Sequence, residues 1–481
     1  INGNWSTGES PIFNSINPCD NKVLWKGNAA SQSNIDNAIE SAKVAFKQWS
    51  KLTLEKRVTF LRSYQEQLKL EQKDLAETIS RETGKPLWES KTEVNAMIGK
   101  IDCSINAYTE RCSEKKSETA IGKSITRFKP HGVIAVLGPF NLPGHLPNGH
   151  IIPALLAGNT IIFKPSEQTP LIAEMMISLW EQVNLPKGVI SLIQGGSETA
   201  IILSKHENIN GIFFTGSYET GCLIHKQLAG QPEKLLVLEM GGNNPLVIHE
   251  IDDIEKTVFT TIQSAFITSG QRCVCARRLI IVKSDKSDEY IKRLTEITSQ
   301  LNIGKWNTEP EPFMGPMINS LAAENVYKDY LSLINYGGEV LLKMTKQGAL
   351  LTPGIVKIKA GTILPDKESF GPLLKVHICE SLDSAIDIAN DTKFGLAAGI
   401  ITNNRTAYEQ FLSQLTAGII NWNRQITGAV SSAPFGGTGS SGNHRPSASL
   451  AADYCTYPVA SIEIENLENT NTSFPGYPKT N

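Results

Sequence analysis

The sequence has few cysteines, and they are not arranged for a metal or a disulfide framework. The eight cysteines are scattered through 481 residues, and none forms a C-x-x-C pair or a Cys/His cluster with zinc spacing. Zinc modules and disulfide-rich scaffolds are therefore excluded, and no metal is predicted. Free thiols in a reducing cytoplasm are expected.

Long hydrophobic runs and an excess of charge of either sign are also absent. No stretch approaches the roughly 18 apolar residues of a membrane span, and the opening INGNWSTGES lacks the basic start and apolar core of a signal peptide. The 46 basic and 48 acidic side chains give a net charge of −2, which argues against binding to nucleic acid or an anionic membrane. We expect an unexported protein in which local arginines meet any anionic ligand.

The hydrophobic content of 40% is enough to build two or three globular domains over this length. The first third is predicted to be helical, because apolar residues recur at three- and four-residue steps behind a Ser33 cap. Val58, Leu61 and Leu68 continue the pattern in a second helix. The residues of the first periodic segment are Ile35, Ile39, Ala42, Phe46 and Trp49.

From about residue 133, short apolar runs alternate with segments of helical length. The runs are VIAVL, TIIF, VISLI, GIFF and LLVL, and a second set comprises PLVI from Pro245 and LIIV at 279–282, with a predicted helix at 252–268 between them. This alternation is typical of βαβ units. The predicted fold class is α/β, with a doubly wound parallel sheet followed by a second α/β domain.

Two segments have isolated β character. The polar stretch KSETAIGKSITRFKPHG, residues 116–132, predicts a hairpin that leaves the core. The run ASIEIENL, which begins at Ala460, would pair with that hairpin or with another subunit.

The match to the dinucleotide fingerprint G-x-G-x-x-G is Gly437, Gly439 and Gly442, within PFGGTGSSGNH. Such a fingerprint follows a buried strand and opens a helix, whereas the flanking residues here are Pro, Ser and Asn. We interpret residues 436–442 as a glycine-rich loop unrelated to phosphate binding.

A better nucleotide candidate is TIIFKPSEQTP, where an apolar strand ends near Lys164 and Glu167. Ligands of doubly wound sheets bind at this edge, and a carboxylate there accepts hydrogen bonds from ribose hydroxyls while repelling a 2′-phosphate. Glu167 therefore favours NAD over NADP, unless both side chains are merely solvated turn charges. The strand, turn and helix start from Gly216 to Gly221 offer backbone N–H groups to a pyrophosphate or ribose, or are only structural.

Cys273 in SGQRCVCARR and Glu239 in LEMGGNNP are the most informative residues for chemistry. Cys273 follows the turn that closes a predicted helix and adjoins Arg272, a setting that favours a nucleophilic thiolate. Cys275 would face the same way only if the chain is extended there. An isolated cysteine is commonly a small core residue, and spacing alone does not establish that Glu239 and Cys273 meet.

Five segments resemble, in order, the motifs of the aldehyde dehydrogenase superfamily: GPFNLPGHLPNGHIIPALLAGNTIIFKPSEQTP, FTGSYETG, LEMGGNNP, SGQRCVCARR and ESFGP. The resemblance implies an NAD-binding domain (1–117 and 133–240), a catalytic domain (241–450) and a small oligomerisation sheet (118–132 and 451–481). It also implies a homodimer or homotetramer with NAD as cofactor.

The same resemblance implies roles for individual residues. Cys273 matches the nucleophile, Glu239 the general base and Asn141 the amide that holds the oxyanion. Cofactor contacts are implied for Lys164, Glu167, Gly216, Ser217, Tyr218, Glu219, Thr220, Gly221, Glu368 and Phe370.

Within the family, PGHLPNGH, GQRCVCARR and PFGGTGSSGNHRPSASLAADYC are similar to the bacterial cytoplasmic branch that oxidises N-succinylglutamate 5-semialdehyde in arginine catabolism. An acidic semialdehyde requires cations at the mouth of the site. Arg277 and Arg278 open an apolar strand and are expected to be structural. The candidate substrate-binding cations, each of which could instead tie loops together, are Arg272, Arg424, His444 and Arg445.

Other functions stay open on the sequence alone. A dehydrogenase of another acidic semialdehyde, such as succinic semialdehyde, would use the same residues. A thiol hydrolase or amidase would need only the cysteine and a base, but no histidine lies close to Cys273 in sequence and the nucleotide motifs would be unexplained. A catalytically inactive binding protein is disfavoured because Cys273, Glu239 and Asn141 are all present.

Overall fold

The computed structural model describes residues 1–466 and 475–476. Helices and strands are numbered here in chain order. The α-helices are α1 Gln32–Trp49, α2 Leu54–Leu70, α3 Gln72–Thr83, α4 Leu87–Arg111, α5 His145–Ala157, α6 Pro170–Gln182, α7 Ser197–Lys205, α8 Tyr218–Gln227, α9 Ile254–Phe266, α10 Ser287–Ser299, α11 Ser320–Asn335, α12 Leu382–Asn390, α13 Arg405–Gln414 and α14 Ala451–Tyr454.

The strands are β1 Ile12–Ile16, β2 Val23–Asn28, β3 Lys115–Thr119, β4 Gly122–Pro130, β5 Val133–Leu137, β6 Thr160–Lys164, β7 Ile190–Leu192, β8 Gly211–Gly216, β9 Leu235–Met240, β10 Asn244–Ile248, β11 Ala276–Val282, β12 Glu339–Leu342, β13 Lys346–Gln347, β14 Leu350–Leu351, β15 Gly354–Lys357, β16 Leu373–Cys379, β17 Phe394–Gly395, β18 Ala397–Ile401, β19 Ile419–Trp422, β20 Pro434–Phe435, β21 Thr438–Gly439, β22 Ser447–Ala448 and β23 Thr456–Glu463.

The first large sheet contains five parallel strands in the order β7-β6-β5-β8-β9. In β5, Ile134 and Val136 pack towards α2 to α6, while Val133, Ala135 and Leu137 pack towards α1, α7 and α8. Successive side chains of a strand point to opposite faces, so a strand covered on both faces is apolar throughout. This burial explains the uninterrupted apolar runs, and the predicted doubly wound sheet is confirmed.

Helix α1 is capped by a residue other than the predicted one. The Ser31 hydroxyl accepts a hydrogen bond from the Asn34 N–H at 3.2 Å, and the Asn34 side chain accepts one from the Ser31 N–H at 3.0 Å. This reciprocal pair satisfies two N–H groups at the helix start. The prediction of Ser33 as the cap was wrong, because Asn34 stands three residues after Ser31 and completes the pair there.

The second large sheet has seven strands in the order β12-β15-β16-β11-β10-β18-β19. All of its neighbouring strands are parallel except the antiparallel pair β12 and β15. Strands β10 and β11 are joined by α9, as predicted from PLVI, LIIV and the helical segment between them. The second α/β unit is therefore confirmed.

A small antiparallel sheet has the order β23-β4-β3. The β3–β4 hairpin confirms the one predicted at 116–132, and β23 pairs with β4 of the same chain over its whole length. The remainder of the predicted tail, residues 467–474 and 477–481, lies outside the described residues. A role of this sheet in oligomerisation stays a prediction.

Two further observations bear on the sequence predictions. None of the helices in the described residues is both long and apolar enough to cross a membrane. The eight cysteines, all within residues 1–466, are free thiols.

Candidate active site

A cavity of about 1090 Å³ opens at the carboxyl ends of β6, β8 and β9. Its walls include faces of α4 and α5, the turn before β11, and parts of the loops at 368–370 and 427–448. Cys273, Glu239 and Asn141 line it together. The fold thus brings these three residues into one site. Their spacing in the sequence could not establish that they lie close together.

The turn that carries Cys273 has an unusual backbone. After α9, residues Ile267–Gly270 form a short 3-10 turn in which Thr268, Ser269 and Gly270 have φ of 57°, 54° and 70°. The left-handed region is unfavourable for residues with a side chain and is maintained only where surrounding contacts enforce it. At Gly270 a side chain is excluded outright, because a Cβ atom would lie 2.2 Å from the Gly371 oxygen.

A buried carboxylate from α4 holds this turn. Glu89 accepts hydrogen bonds from the Thr268 N–H at 3.1 Å and from its hydroxyl at 2.6 Å, and it pairs with the Arg272 guanidinium at 2.8 Å. The Arg272 Nε donates to the Thr268 hydroxyl at 2.7 Å. The contacts form a closed network that fixes the strained backbone just ahead of Cys273.

Arg272 therefore has a task that the sequence did not reveal. It lines the cavity, but its Nε and Nη2 are engaged by Thr268 and Glu89. Its charge is paired with a carboxylate whose side chain is fully buried. The predicted role in binding substrate is correspondingly weakened, because a guanidinium already paired with one carboxylate attracts a second less strongly.

Cys275 does not share the position of Cys273. The Cys275 N–H donates to the Arg272 oxygen at 3.0 Å, so the chain turns rather than running extended. Its thiol is buried, 3.8 Å from the Ile267 oxygen. The Asn244 side chain donates to the oxygens of both cysteines, at 2.6 and 2.9 Å, and fixes the segment between them.

Cys273 is partly exposed and lies among acidic groups. Burial raises the pKa of its thiol, the carboxylates of Glu368 and Glu239 raise it further, and Arg277 offsets only part of this increase. The expectation that Arg272 favours the thiolate is wrong, since Glu89 neutralises that cation. These surroundings favour the protonated thiol over the thiolate.

Glu239 is the last residue but one of β9 and is 4% exposed. It has no ion-pair partner in the part of the chain that the structure describes, and burial raises the pKa of its carboxyl well above the ordinary value. A buried carboxyl without a cation tends to take up a proton. Glu239 is thus suited to accept a proton at the pH where an exposed glutamate would not.

The glycine-rich loop and the residue after it pack along the outer edge of β9. Asn443 accepts from the Leu238 N–H and donates to the Leu236 oxygen, both at 2.9 Å. The Met240 N–H donates to the Ser441 oxygen at 3.0 Å. The loop therefore forms the wall behind the end of β9, where the candidate base is located.

Asn141 is held by a second buried network. Its side-chain amide donates to the Gln271 oxygen at 2.9 Å, and its backbone oxygen accepts from the Lys85 ammonium at 3.0 Å. Lys85 pairs with Glu93, which also accepts the N–H groups at the start of α5. The position of the Asn141 amide thus depends on an ion pair, again supplied by the α4 region.

The end of the cavity beside β6 contains Lys164 and Glu167, the predicted contacts of the adenosine ribose. The Lys164 ammonium donates to the Pro165 oxygen at 2.7 Å and lies 3.9 Å from the Glu167 carboxylate. Burial lowers the pKa of Lys164 to about 8, and Glu167 offsets part of that change. Both side chains lie in the cavity wall, as a nucleotide site requires.

The start of α8 forms the adjacent wall. Ser217 caps the helix by accepting the Thr220 N–H at 3.2 Å, and residues 216–220 line the cavity. A helix start of this kind attracts anions such as phosphates. Gly221 is a packing position instead, since a Cβ there would lie 2.3 Å from the Met240 sulfur.

Glu368 and Phe370 complete the far wall. Glu368 pairs with Arg277 at 3.2 Å; burial raises the pKa of its carboxyl to about 6, and Arg277 counteracts part of the increase. Phe370 packs edge-on against Phe140 and lies under the Arg277 guanidinium, 5.5 Å from the ring centre. Arg277 and Arg278 are buried and donate to backbone oxygens, which confirms their predicted structural role.

Three predicted substrate-binding cations do not line the cavity. Arg424 is exposed in the turn after β19, and His444 and Arg445 are exposed beyond Asn443. The chain is anchored to β9 at Asn443 and then directs these side chains away, so that Arg445 lies near His131. Their role in substrate binding stays a prediction, which the cavity lining does not support.

Sequence reasoning missed the charges of the α4 region. Glu89, Glu93 and Met97 follow one another at four-residue steps, so a helical pattern places both carboxylates on the buried face beside an apolar residue. That arrangement was a detectable signal for buried ion pairs. The partners Lys85 and Arg272 could not be identified in the same way, because one precedes the helix and the other lies far along the chain.

Comparison with known proteins gives a consistent result. Residues 5–459 match the Aldehyde dehydrogenase family. The chain is 49% identical over 479 residues to the N-succinylglutamate 5-semialdehyde dehydrogenase of Chromobacterium violaceum, covering 99% of this chain and 98% of that one.

Solved structures share the fold. Glyceraldehyde-3-phosphate dehydrogenase from Methanocaldococcus jannaschii, complexed with NADP, matches with a TM-score of 0.89 and 29% identity over 94% of this chain and 98% of that one. A variant of aldehyde dehydrogenase from Bacillus cereus matches with a TM-score of 0.91 and 26% identity over 96% and 95% of the two chains. The chain belongs to the aldehyde dehydrogenase family.

Proposed function

We propose that the protein oxidises N-succinyl-L-glutamate 5-semialdehyde to N-succinyl-L-glutamate with NAD⁺, in the catabolism of arginine to glutamate and succinate. The observation that carries the reaction class is the joint lining of one cavity by Cys273, Glu239 and Asn141. The identity with the Chromobacterium violaceum enzyme over nearly the whole chain supports the substrate.

Cys273 is the nucleophile of this reaction. Its thiol proton passes to Glu368 as the sulfur adds to the aldehyde carbon. The addition comes first because a neutral carbonyl does not release hydride. The Asn141 amide has one N–H bonded to the Gln271 oxygen and a second for the oxyanion, and the Cys273 backbone N–H is the other donor. Loss of one such donor typically slows a reaction by about 100- to 1000-fold.

The residues at the other end of the cavity fit a nicotinamide dinucleotide. The Glu167 carboxylate and Lys164 suit the adenosine ribose, and the start of α8 suits the pyrophosphate. Glu368 and Phe370 suit the nicotinamide ribose and ring. When bound, NAD⁺ would supply the acceptor for the hydride of the substrate carbon. Loss of that hydride would leave the substrate joined to Cys273 as an acyl thioester.

Glu239 is the base of the second half of the reaction. It takes a proton from water while the water oxygen attacks the thioester carbon. The Cys273 sulfur leaves with its electron pair and takes back the proton held by Glu368, which restores the thiol. The raised pKa of the buried carboxyl matches this task, since a stronger base removes a proton from water more readily.

The assembly belongs to the proposal as well. Residues 1–117 and 133–240 bind the cofactor, 241–450 carry the nucleophile, and the hairpin and tail at 118–132 and 451–481 join subunits into a homodimer or homotetramer in a bacterial cytoplasm. Strand β3 is exposed at every residue, which leaves one edge of the small sheet open to a partner copy.

The test is a comparison of kcat/KM with NAD for three aldehydes: N-succinylglutamate semialdehyde, succinic semialdehyde and an alkyl aldehyde of similar length. We expect the first to be preferred by at least about 100-fold over the alkyl aldehyde, as a buried charge pair allows. A preference for succinic semialdehyde would assign the other acidic substrate, and equal values would refute a carboxylate-selective site.

A further inference from the structure

Lys100 on α4 is a buried cation without a partner. It lines the cavity, is 4% exposed, and makes no hydrogen bond or ion pair with any of the described residues. Buried lysines are normally paired, because an ammonium loses its hydration when it enters the protein. Burial accordingly lowers the pKa of Lys100 to about 8.

The absence of a side chain at residue 149 makes room for Lys100. Gly149 lies within α5, and a Cβ atom there would be 3.3 Å from the Lys100 Cε and 3.9 Å from its Nζ. Gly in the middle of a helix costs about 0.5–1 kcal/mol relative to Ala. The helix carries this cost at Gly149, and the space that the glycine leaves is occupied by the end of the Lys100 side chain at the cavity wall.

The titratable groups that interact with Lys100 are two histidines and the Cys103 thiol, and none of them is a carboxylate. His145 and His150 lie close enough for Lys100 to lower the pKa of each, after the larger effect of burial, so both rings are neutral. Arg272 and Lys85 act on His145 in the same direction. Lys100 thus lies against α5, the helix that follows Asn141, and this is the end of the cavity that we take as the aldehyde end. None of the groups that act on its charge is a carboxylate.

The other cations of that end are already engaged. Arg272 is paired with Glu89, and Lys85 is paired with Glu93. Arg424 and Arg445 do not line the cavity. Among the described residues at the aldehyde end, Lys100 is the cation left to meet a charged substrate.

We propose that the Lys100 ammonium binds a carboxylate of the substrate and makes the cavity selective for acidic semialdehydes. The inference deepens the proposed function and rests on an acidic aldehyde being the substrate. The carboxylate takes the place of lost hydration around Nζ, which offsets the cost of burying the charge. Lys100 is a specificity residue and takes no part in the transfer of hydride.

The main test replaces Lys100 with methionine, which keeps the length of the side chain and removes the charge. For N-succinylglutamate semialdehyde we expect kcat/KM to fall by about 100-fold or more, chiefly through KM. The Ki of N-succinyl-L-glutamate as an inhibitor should rise by a similar factor. For an uncharged alkyl aldehyde the change should stay within a few fold, and the KM for NAD should be retained.

Lys91→Met is the matched control. Lys91 lies on the same helix but is exposed and does not line the cavity, so this variant should behave as the wild type with every substrate. If Lys100→Met slowed the acidic and the alkyl aldehyde by the same factor, Lys100 would be only a structural residue and the proposal would be overturned.

A second variant guards against a folding defect in Lys100→Met. Gly149→Ala improves helix propensity and places a methyl group against the Lys100 side chain. We expect the KM for the acidic semialdehyde to rise a few fold, with the alkyl aldehyde unaffected. An unchanged KM for the acidic semialdehyde in both variants would refute the proposal.

The outcomes separate this proposal from the proposed function. If the wild type preferred succinic semialdehyde and Lys100→Met lost that preference, the substrate assignment would fail while the role of Lys100 would stand. If the wild type preferred N-succinylglutamate semialdehyde and Lys100→Met kept that preference, the function would stand and the role of Lys100 would fail.

Discussion

Two groups of buried charges border the same cavity and differ in one respect. Behind Cys273 and Asn141, the charges of the α4 region are paired: Glu89 with Arg272, and Glu93 with Lys85. In the lining of the cavity itself, Glu239 and Lys100 have no charged partner among the described residues. Burial of either group costs desolvation free energy, but only the first group regains it through ion pairs within the folded chain.

The difference separates structural charges from chemical ones. The paired group positions a strained turn and the Asn141 backbone, so it acts on the reaction through other residues. The unpaired group has pKa values shifted towards the neutral form by burial, which is a property of groups that exchange protons or bind charged ligands. Pairing, rather than burial or location, is the distinguishing feature.

The largest expected effect comes from removing an unpaired charge. Glu239→Gln removes the base for hydrolysis, and we expect the steady-state rate to fall by about 100- to 10,000-fold. Hydride transfer precedes hydrolysis, so a burst of NADH close to one equivalent per site should survive, measured by stopped-flow absorbance. Cys273→Ser should lose both phases. Loss of the burst in proportion to the steady-state rate would contradict the role of Glu239.

The same Glu239→Gln variant should be more stable than the wild type at alkaline pH. Burial raises the pKa of Glu239 in the folded state above its value of about 4.3 in the unfolded chain. The free energy of unfolding of the wild type therefore decreases as the pH rises above about 4.3, and it stops decreasing once the pH exceeds the folded-state pKa. Glutamine has no such penalty. The Tm difference should therefore be small at pH 5 and larger at pH 8, in a thermal unfolding experiment.

An effect of similar free energy is expected when a paired charge is left alone. Lys85→Met leaves Glu93 buried without its cation, and we expect a loss of about 3–5 kcal/mol in the free energy of unfolding, measured with urea. Activity should fall as well, because the Asn141 oxygen loses its 3.0 Å hydrogen bond.

The double variant Lys85→Met/Glu93→Gln is the control for that prediction. Glutamine keeps an oxygen for the N–H groups at the start of α5 and removes the uncompensated charge. Most of the lost stability should return. A double variant as unstable as Lys85→Met alone would show that the pair does not act through charge compensation.

The smallest expected effect concerns the exposed end of the cavity. Glu167 is nearly half exposed, so solvent screens its charge. We expect Glu167→Ser to raise kcat/KM with NADP relative to NAD by about tenfold, since it removes repulsion of a 2′-phosphate. Glu233→Ser, at another exposed carboxylate outside the cavity wall, should leave the ratio unchanged.

The sheets could be predicted because strand burial leaves a local signal. In β5 every residue from Val133 to Leu137 is buried, so the apolar run marks the strand directly. The cap of α1 was missed for a local reason, because Ser31 and Ser33 are alike until the side chain of Asn34 is considered. Such features are determined within a few residues of sequence.

The sequence could not predict which cations at the cavity are free to bind a ligand, because their pairing depends on distant residues. Arg272 looked available beside Cys273, yet its partner Glu89 lies 183 residues away along the chain. Lys100 looked like an ordinary polar position of α4, and its access to the cavity depends on Gly149 of the next helix. A charge is functional or structural according to what the fold places next to it.

The contacts along β9 have a consequence for solubility. Strand β9 is the last strand of its sheet, and the outward-facing N–H and C=O groups of an edge strand are a template for pairing with other molecules. Asn443 and Ser441 occupy those groups at Leu236, Leu238 and Met240. The segment that forms the wall behind Glu239 thereby also closes the edge of the sheet against aggregation. Changes made there to alter activity would put the monodispersity of the protein at risk.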